Sequence, residues 1–371
     1  MSEPRIIISG GGTGGHIFPA ISIAQEIQHR YPNASILFVG AKDKMEMEKV
    51  PQAGFPIEGL WIAGIQRKLN WQNLLFPVKL LTSLLKSKKI LQKFQPHIAI
   101  GTGGFASGPL LKMANQAKLP SLLQEQNSFA GVTNKWLAKE ADAICVAYEG
   151  MQKFFPQDKI ILTGNPVRSS ILAVPDYNDS TFQKQAKAEF KLDPAKPVLL
   201  VVGGSLGARR INQLIAHKLS DIKQLGVQVI WQTGKFYIEE YQSLQNEQVK
   251  VSAFIMEMER AYQAADFIVS RSGAGAVSEL CIVGKPVIFI PSPNVAEDHQ
   301  IKNAQSIVDK NGAICIEENK LEDEFLTKFS DLVKNKELQN QLGHSIKRLA
   351  KPKATAHIVD EVEKHWNFKN E

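Results

Sequence analysis

The chain has 371 residues, 44% of them apolar, and its 44 basic and 37 acidic side chains leave a net charge of +7. That length exceeds one ordinary core and suits two α/β domains, and the apolar share excludes disorder. The mild positive excess fits an anionic substrate or a membrane surface, and without a long Lys/Arg block it gives no case for nucleic acid. Cys145, Cys281 and Cys315 are far apart, form no CxxC pair and lie in or beside apolar stretches. They read as buried reduced thiols of a cytosolic protein. No signal peptide precedes the first apolar run, and none approaches the ~20 residues needed to span a bilayer, so any membrane contact is expected to be peripheral.

Short apolar, often β-branched runs recur along the chain with amphipathic segments between them. The first half predicts strands at 5–9, 35–39, 97–101, 120–124, 142–147 and 159–163, and the second at 197–202, 227–232, 249–254, 266–270, 286–290 and 313–317. Continuous apolar strands alternating with helices imply parallel sheets covered on both faces. A break between 165 and 197, rich in Pro, Asp and Ser, separates two doubly wound domains whose ligand is expected at the C-terminal ends of the strands. Residues 69–94 have helical spacing, with an apolar seam at Leu74, Val78, Leu81 and Leu85 and lysines at 79, 86, 89 and 93. This is either a covering helix with solvated lysines or a basic amphipathic surface for an anionic bilayer. Leu69, Trp71, Leu75 and Phe76 are the better membrane candidates. The last segment, 354–366, places Ile358, Val362 and Trp366 at helical spacing and is expected to pack back on the first domain.

Three strands run into glycine turns at helix starts, around 10–15, 203–207 and 272–276. Such turns aim backbone N–H groups outward with the helix dipole behind them, which suits phosphate. Gly10, Gly12 and Gly15 fit the dinucleotide motif, but the second strand ends without the acid that motif requires, the next carboxylate being Asp43. Thr13 and His16 lie in that turn and at the helix start; a neutral imidazole there accepts a proton or simply ties the loop. The second turn lacks the Lys-Ser/Thr of a Walker A loop and offers Ser205, with Arg209 and Arg210 nearby. The third is followed by Glu279, read as lying in the first helical turn, either on a ribose diol or merely favourable to the dipole. A fourth glycine turn spans 101–109, and Gln124-Glu125-Gln126-Asn127 places acid and amide groups at a strand end, suited to sugar hydroxyls.

Together the segments GGGTGGHIFPA, GTGGFASGP, QEQNSFAGVTNKWLAK, TGNPVR, GGSLGAR, SGAGAVSE and EDHQIKNA, in order and spacing over nearly the whole chain, resemble glycosyltransferase family 28, the MurG family of bacterial peptidoglycan synthesis. The resemblance implies a GT-B fold, α/β, with two Rossmann-like domains facing a central cleft. The domains would be 1–166, joined by a C-terminal helix at 354–371, and 167–353. It implies transfer of GlcNAc from UDP-GlcNAc to lipid I, giving lipid II, on the cytoplasmic face of the membrane, with other cell-wall synthesis proteins as partners. No compact Asp/His cluster stands in the sequence, so metal-independent chemistry without a cofactor is expected.

Carried over residue by residue, Thr13, Gly14 and Gly15 meet the donor, Asn127 its sugar, and Arg168 and Ser205 the region of the diphosphate. The backbone of Ile255 reads uracil, Ala274, Gly275, Ala276, Val277, Ser278 and Glu279 take phosphate and ribose, and Gln300 reads GlcNAc hydroxyls. His16 is the favoured general base and Glu125 the second choice. Leu206, Gln124, Phe105 and Gly275-Ala276 depart from the commonest family pattern. The competing expectations are a GT-B enzyme with another lipid acceptor, a UDP-GlcNAc epimerase, a non-catalytic sugar-nucleotide sensor, and an NAD-dependent oxidoreductase, the last disfavoured by the missing acid.

Overall fold

The computed structural model describes residues 3–64, 75–204, 206–295 and 298–366. The chain divides into two compact units, Met1–Val167 with Lys353–Glu371, and Arg168–Pro352.

The first unit runs β1 (Arg5–Gly10), α1 (Gly14–Arg30), β2 (Ser35–Ala41), α2 (Glu46–Gln52), β3 (Ile57–Leu60), α3 (Phe76–Phe94), β4 (Ile98–Gly103), α4 (Ser107–Gln116), β5 (Ser121–Glu125), α5 (Val132–Leu137), β6 (Ala143–Val146) and β7 (Ile160–Leu162). Its seven strands are all parallel in the order β3-β2-β1-β4-β5-β6-β7. Ile6, Ile7 and Ile8 are successive and all fully buried, as a strand covered on both faces requires. The strand order reverses between β1 and β4, so the first and fourth glycine turns sit side by side where such sheets bind ligands.

The second unit runs α6 (Ser169–Leu172), α7 (Ser180–Glu189), β8 (Val198–Val202), α8 (Arg209–Gln224), β9 (Gln228–Gln232), α9 (Ile238–Tyr241), β10 (Val249–Ser252), α10 (Met258–Ala264), β11 (Phe267–Ser270), α11 (Ala274–Val283), β12 (Val287–Phe289), α12 (His299–Val308), β13 (Ile314–Cys315), α13 (Leu321–Lys334) and α14 (Lys336–Lys347). The parallel order β10-β9-β8-β11-β12-β13 reverses between β8 and β11, which again brings two glycine turns together. The last helix, α15 (Ala354–His365), belongs to the first unit. Ile358, Val359 and Val362 are fully buried in its core, and Arg30 of α1 bonds Asp360 at 2.6 Å and Glu363 at 3.0 Å.

Every predicted strand is present within two residues at either end; β3, a short edge strand with glycine and proline around it, was not predicted. The helix expected over 69–94 is described from Phe76 onward, and Leu69, Trp71 and Leu74 lie outside the described residues. Its apolar seam faces outward, the second of the two alternatives. Val78, Leu81 and Leu85 are 50%, 59% and 56% exposed, whereas Ser83, Ser87, Ile90 and Leu91 are buried. The serines let the helix approach its neighbours closely: Ser83 Oγ donates to the Trp61 carbonyl at 3.2 Å, and Lys86 Nζ reaches the Gly59 carbonyl at 2.8 Å.

The second unit carries a buried lysine. Lys285 donates to the carbonyls of Gln263 at 2.7 Å and Ala265 at 2.5 Å. Burial pulls its ammonium down to about 7, opposed in part by Asp266 and reinforced by Lys187. Between about 7 and the ordinary lysine value of ~10.4 the unfolded chain holds a proton that the folded chain has shed. Stability should therefore rise with pH across that window, the penalty being complete below it. In urea denaturation from pH 7 to 10, Lys285→Met should flatten this slope; an equal slope in both proteins would assign it to other groups.

Candidate active site

In the first unit the β1–α1 turn is built by close packing. A Cβ on Gly10 would lie 1.8 Å from Thr102 Oγ1, one on Gly11 would lie 2.2 Å from Glu46 Oε1, and Gly12 has φ +82°. The reason for the space at Gly11 is Glu46, which is fully buried at the start of α2. Its Oε2 accepts from Gly12 N–H at 2.9 Å and its Oε1 from Ala41 N–H at 3.0 Å. The turn expected to hold phosphate is thus already occupied in part by the protein's own carboxylate, and a second anion beside it would be repelled. Thr13 and Gly15 are exposed and Gly14 half-buried at the start of α1.

His16 is half-buried, with Nδ1 2.9 Å from Gln126 Oε1. Thr102 Oγ1 donates to its carbonyl at 2.8 Å. Glu125 is 1% exposed and serves as an anchor. One oxygen accepts from Gly131 N–H and Asn134 Nδ2, both at 2.9 Å, and the other from Asn127 N–H at 3.1 Å and Nδ2 at 3.4 Å. A carboxylate closed in by N–H donors on both oxygens has no open face for a substrate proton. It also holds Asn127, itself half-buried, in place.

The glycine turns of the second unit differ in kind. A Cβ on Gly204, Gly273 or Gly275 would meet no protein atom within 4 Å, so these residues leave open space at the ends of β8 and β11. Gln232 ties two turns together, donating to the Gly204 carbonyl at 3.1 Å and accepting from Ile255 N–H at 2.9 Å. Ser205 lies outside the described residues. Ser278 Oγ bonds the Ala274 carbonyl, Ser272 Oγ bonds the Gln300 carbonyl, and Gln300 Oε1 accepts from Ser292 N–H at 2.9 Å. Ala274 and Val277 are buried and Ala276 half-buried along the same helix start.

Glu279 is the sixth residue of α11 and so lies in its second turn, not the first; what holds it is a pair of partners rather than the dipole. Arg168 grips it with two bonds, Nε to Oε1 at 2.7 Å and Nη2 to Oε2 at 2.8 Å, and Tyr262 OH donates to Oε2 at 3.1 Å. Burial, and then Glu279 itself, pushes the Tyr262 phenol far above its ordinary value, so it stays a donor. Arg168 and Glu279 were expected to share the site; Tyr262 was not, because a tyrosine at helical spacing reads as core. Glu46 also escaped notice, since an acid was sought at the end of the second strand and this one enters from the following helix. Among the described residues no three His, Cys, Asp or Glu side chains converge in a metal-binding arrangement.

Two parallel-sheet Rossmann-like units, each with paired glycine turns at its reversal point, define a glycosyltransferase of the GT-B class. The chain belongs to glycosyltransferase family 28: the family's N-terminal domain matches residues 6–146 and its C-terminal domain residues 198–358. It is 56% identical over 363 residues, 98% of each chain, to a Flavobacterium psychrophilum protein named UDP-N-acetylglucosamine–N-acetylmuramyl-(pentapeptide) pyrophosphoryl-undecaprenol N-acetylglucosamine transferase. A Christiangramia forsetii protein of the same name is 54% identical over 365 residues, again 98% of each chain. The crystal structure of Acinetobacter baumannii MurG superposes with a TM-score of 0.78 at 26% identity, covering 98% of this chain and all of that one.

Proposed function

We infer that this glycosyltransferase moves GlcNAc from UDP-GlcNAc to the C4 hydroxyl of MurNAc in undecaprenyl-pyrophosphoryl-MurNAc-pentapeptide (lipid I), giving lipid II. The observation that carries this is 56% identity across 98% of the chain to a relative named for that transfer. The second unit takes the nucleotide: its glycine turns leave room for the diphosphate, whose contacts fall to Ser205 and Arg168, those of uracil to Ile255 and those of the sugar to Gln300. Glu279 receives the ribose. A carboxylate offers about four acceptor directions, and Arg168 and Tyr262 use three, so Oε1 keeps one for a ribose hydroxyl.

The reaction is a single displacement with inversion. The proton of the acceptor hydroxyl passes to His16, the hydroxyl oxygen bonds the anomeric carbon, and UDP departs with the electron pair of the broken bond. Loop N–H groups and Arg168 offset the charge that develops on the diphosphate. Incubation with UDP-GlcNAc and a soluble lipid I analogue should yield the β-1,4 disaccharide and UDP. An arm with EDTA reads any need for a divalent cation; none is expected, since the loops and Arg168 can offset the diphosphate charge. Failure with a competent acceptor overturns the assignment.

Replacing Glu279 by alanine should weaken UDP binding by roughly 10²-fold, the worth of one or two charge-assisted bonds, as read by titration calorimetry. Unchanged affinity would remove Glu279 from the ribose site.

No helix among the described residues is long and apolar enough to cross a membrane. We assign peripheral docking on the cytoplasmic face to the exposed row Val78, Leu81 and Leu85 with Trp61, flanked by Lys79, Lys88, Lys89 and Lys93. Leu75 and Phe76, half-buried at the start of α3, adjoin it. Leu81→Ser with Leu85→Ser should reduce sedimentation with anionic vesicles several-fold and leave turnover of a soluble acceptor unchanged.

A further inference from the structure

We propose that Gln126 is the positioning residue for His16: its side-chain oxygen fixes the imidazole with the proton on Nδ1 and leaves Nε2 as the proton acceptor. The catalytic part of this rests on His16 being the base. The tautomer itself follows from the hydrogen bonds alone.

Which ring nitrogen of a neutral histidine carries the proton is set by the partner of the other. The Gln126 amide can be oriented unambiguously. Its Nε2 faces the carbonyls of Thr102 at 2.8 Å and Gln124 at 3.1 Å, and also Gln124 Oε1. Turning the amide over would set its oxygen against three other oxygens, so the nitrogen belongs there. The oxygen then faces His16 Nδ1 at 2.9 Å and can only accept. Nδ1 must donate.

The support behind Gln126 is rigid and neutral. Its own carbonyl accepts from Asn165 Nδ2 at 2.9 Å, and Asn165 Oδ1 accepts from Gln124 Nε2 at 2.9 Å. Gln124, Gln126 and Asn165 are at most 3% exposed, and no member of this amide ring titrates. Gly103, at φ +95°, admits the imidazole, because a Cβ there would stand 2.9 Å from Nδ1. The carboxylates on the neighbouring elements, Glu46 of α2 and Glu125 of β5, are committed to N–H donors of the backbone and of amide side chains. A carboxylate in place of Gln126 would set its second oxygen against the three oxygens that now accept from Nε2, so only an amide serves the ring and its own support at once. The amide orients without charging.

The test uses the full chain, labelled with ¹⁵N, and reads the His16 ring nitrogens by long-range ¹H–¹⁵N correlation at pH 8, with His16→Ala giving the assignment. The wild type should show the Nδ1–H pattern, and Gln126→Met should lose it, with kcat falling about 10–100-fold and the KM for UDP-GlcNAc unchanged. An Nε2–H pattern in the wild type or an unchanged pattern in Gln126→Met overturns the proposal. Wild-type kcat in His16→Ala would instead overturn His16 as the base, and the ring spectra would still decide whether Gln126 sets the tautomer.

Discussion

His16→Ala should lower kcat by about 10²–10⁴-fold, the usual worth of a positioned general base, while UDP affinity stays within about twofold. The split follows from where the residues sit. His16 is in the first unit, at the start of α1, and the groups assigned to the nucleotide are in the second. Losing the imidazole removes the acceptor for the hydroxyl proton and leaves the donor contacts alone. Glu125→Gln makes the contrasting case. It exchanges one oxygen for an NH₂ that meets N–H donors, so its main loss should be thermal stability. If His16→Ala turns over at the wild-type rate, the base lies elsewhere.

Glu46→Ala should destabilise the first unit by about 2–5 kcal/mol and depress turnover together, although no contact with substrate is assigned to Glu46. Its removal leaves the N–H groups of Gly12 and Ala41 without their acceptor, each at roughly 1–3 kcal/mol for a buried donor. It also empties the space against which the Gly11 backbone is packed. Glu46→Gln should fall between, because its one carbonyl oxygen serves a single donor and its NH₂ opposes the other. Denaturation midpoints and turnover of both variants check this; an alanine variant as stable as the wild type would show that the turn holds itself.

The strands were legible because continuous apolar runs such as Ile6–Ile7–Ile8 need cover on both faces, and that pattern survives any rearrangement of loops. The reversal points were not, since strand order depends on pairings between distant residues. Which face of α3 packs stayed open for a related reason: spacing identifies an apolar stripe but not whether a neighbour exists to cover it. Here Ser83 and Ser87 took the packed face by allowing close approach, and the leucines were left outside. The glycine turns all looked alike in sequence. Only the neighbouring atoms separate Gly11, which makes way for Glu46, from Gly273 and Gly275, which face open space. His16 and Glu279 stood out by residue type and position, and Arg168 only through the family resemblance. Gln126 was legible only as one of four polar residues suited to sugar hydroxyls and Tyr262 not at all, since what each touches is a side chain distant in sequence.

The return of α15 to the first unit sets an order for biosynthesis. The second unit is complete in sequence at Pro352, whereas the first lacks its final helix until Lys353 and the residues after it have been made. On a translating ribosome the later-encoded unit can therefore finish folding first, while the α1 surface destined for Ile358, Val359 and Val362 waits uncovered. A nascent chain stalled before α15 emerges should bind a holdase through that surface, and emergence of Ala354–His365 should end the interaction.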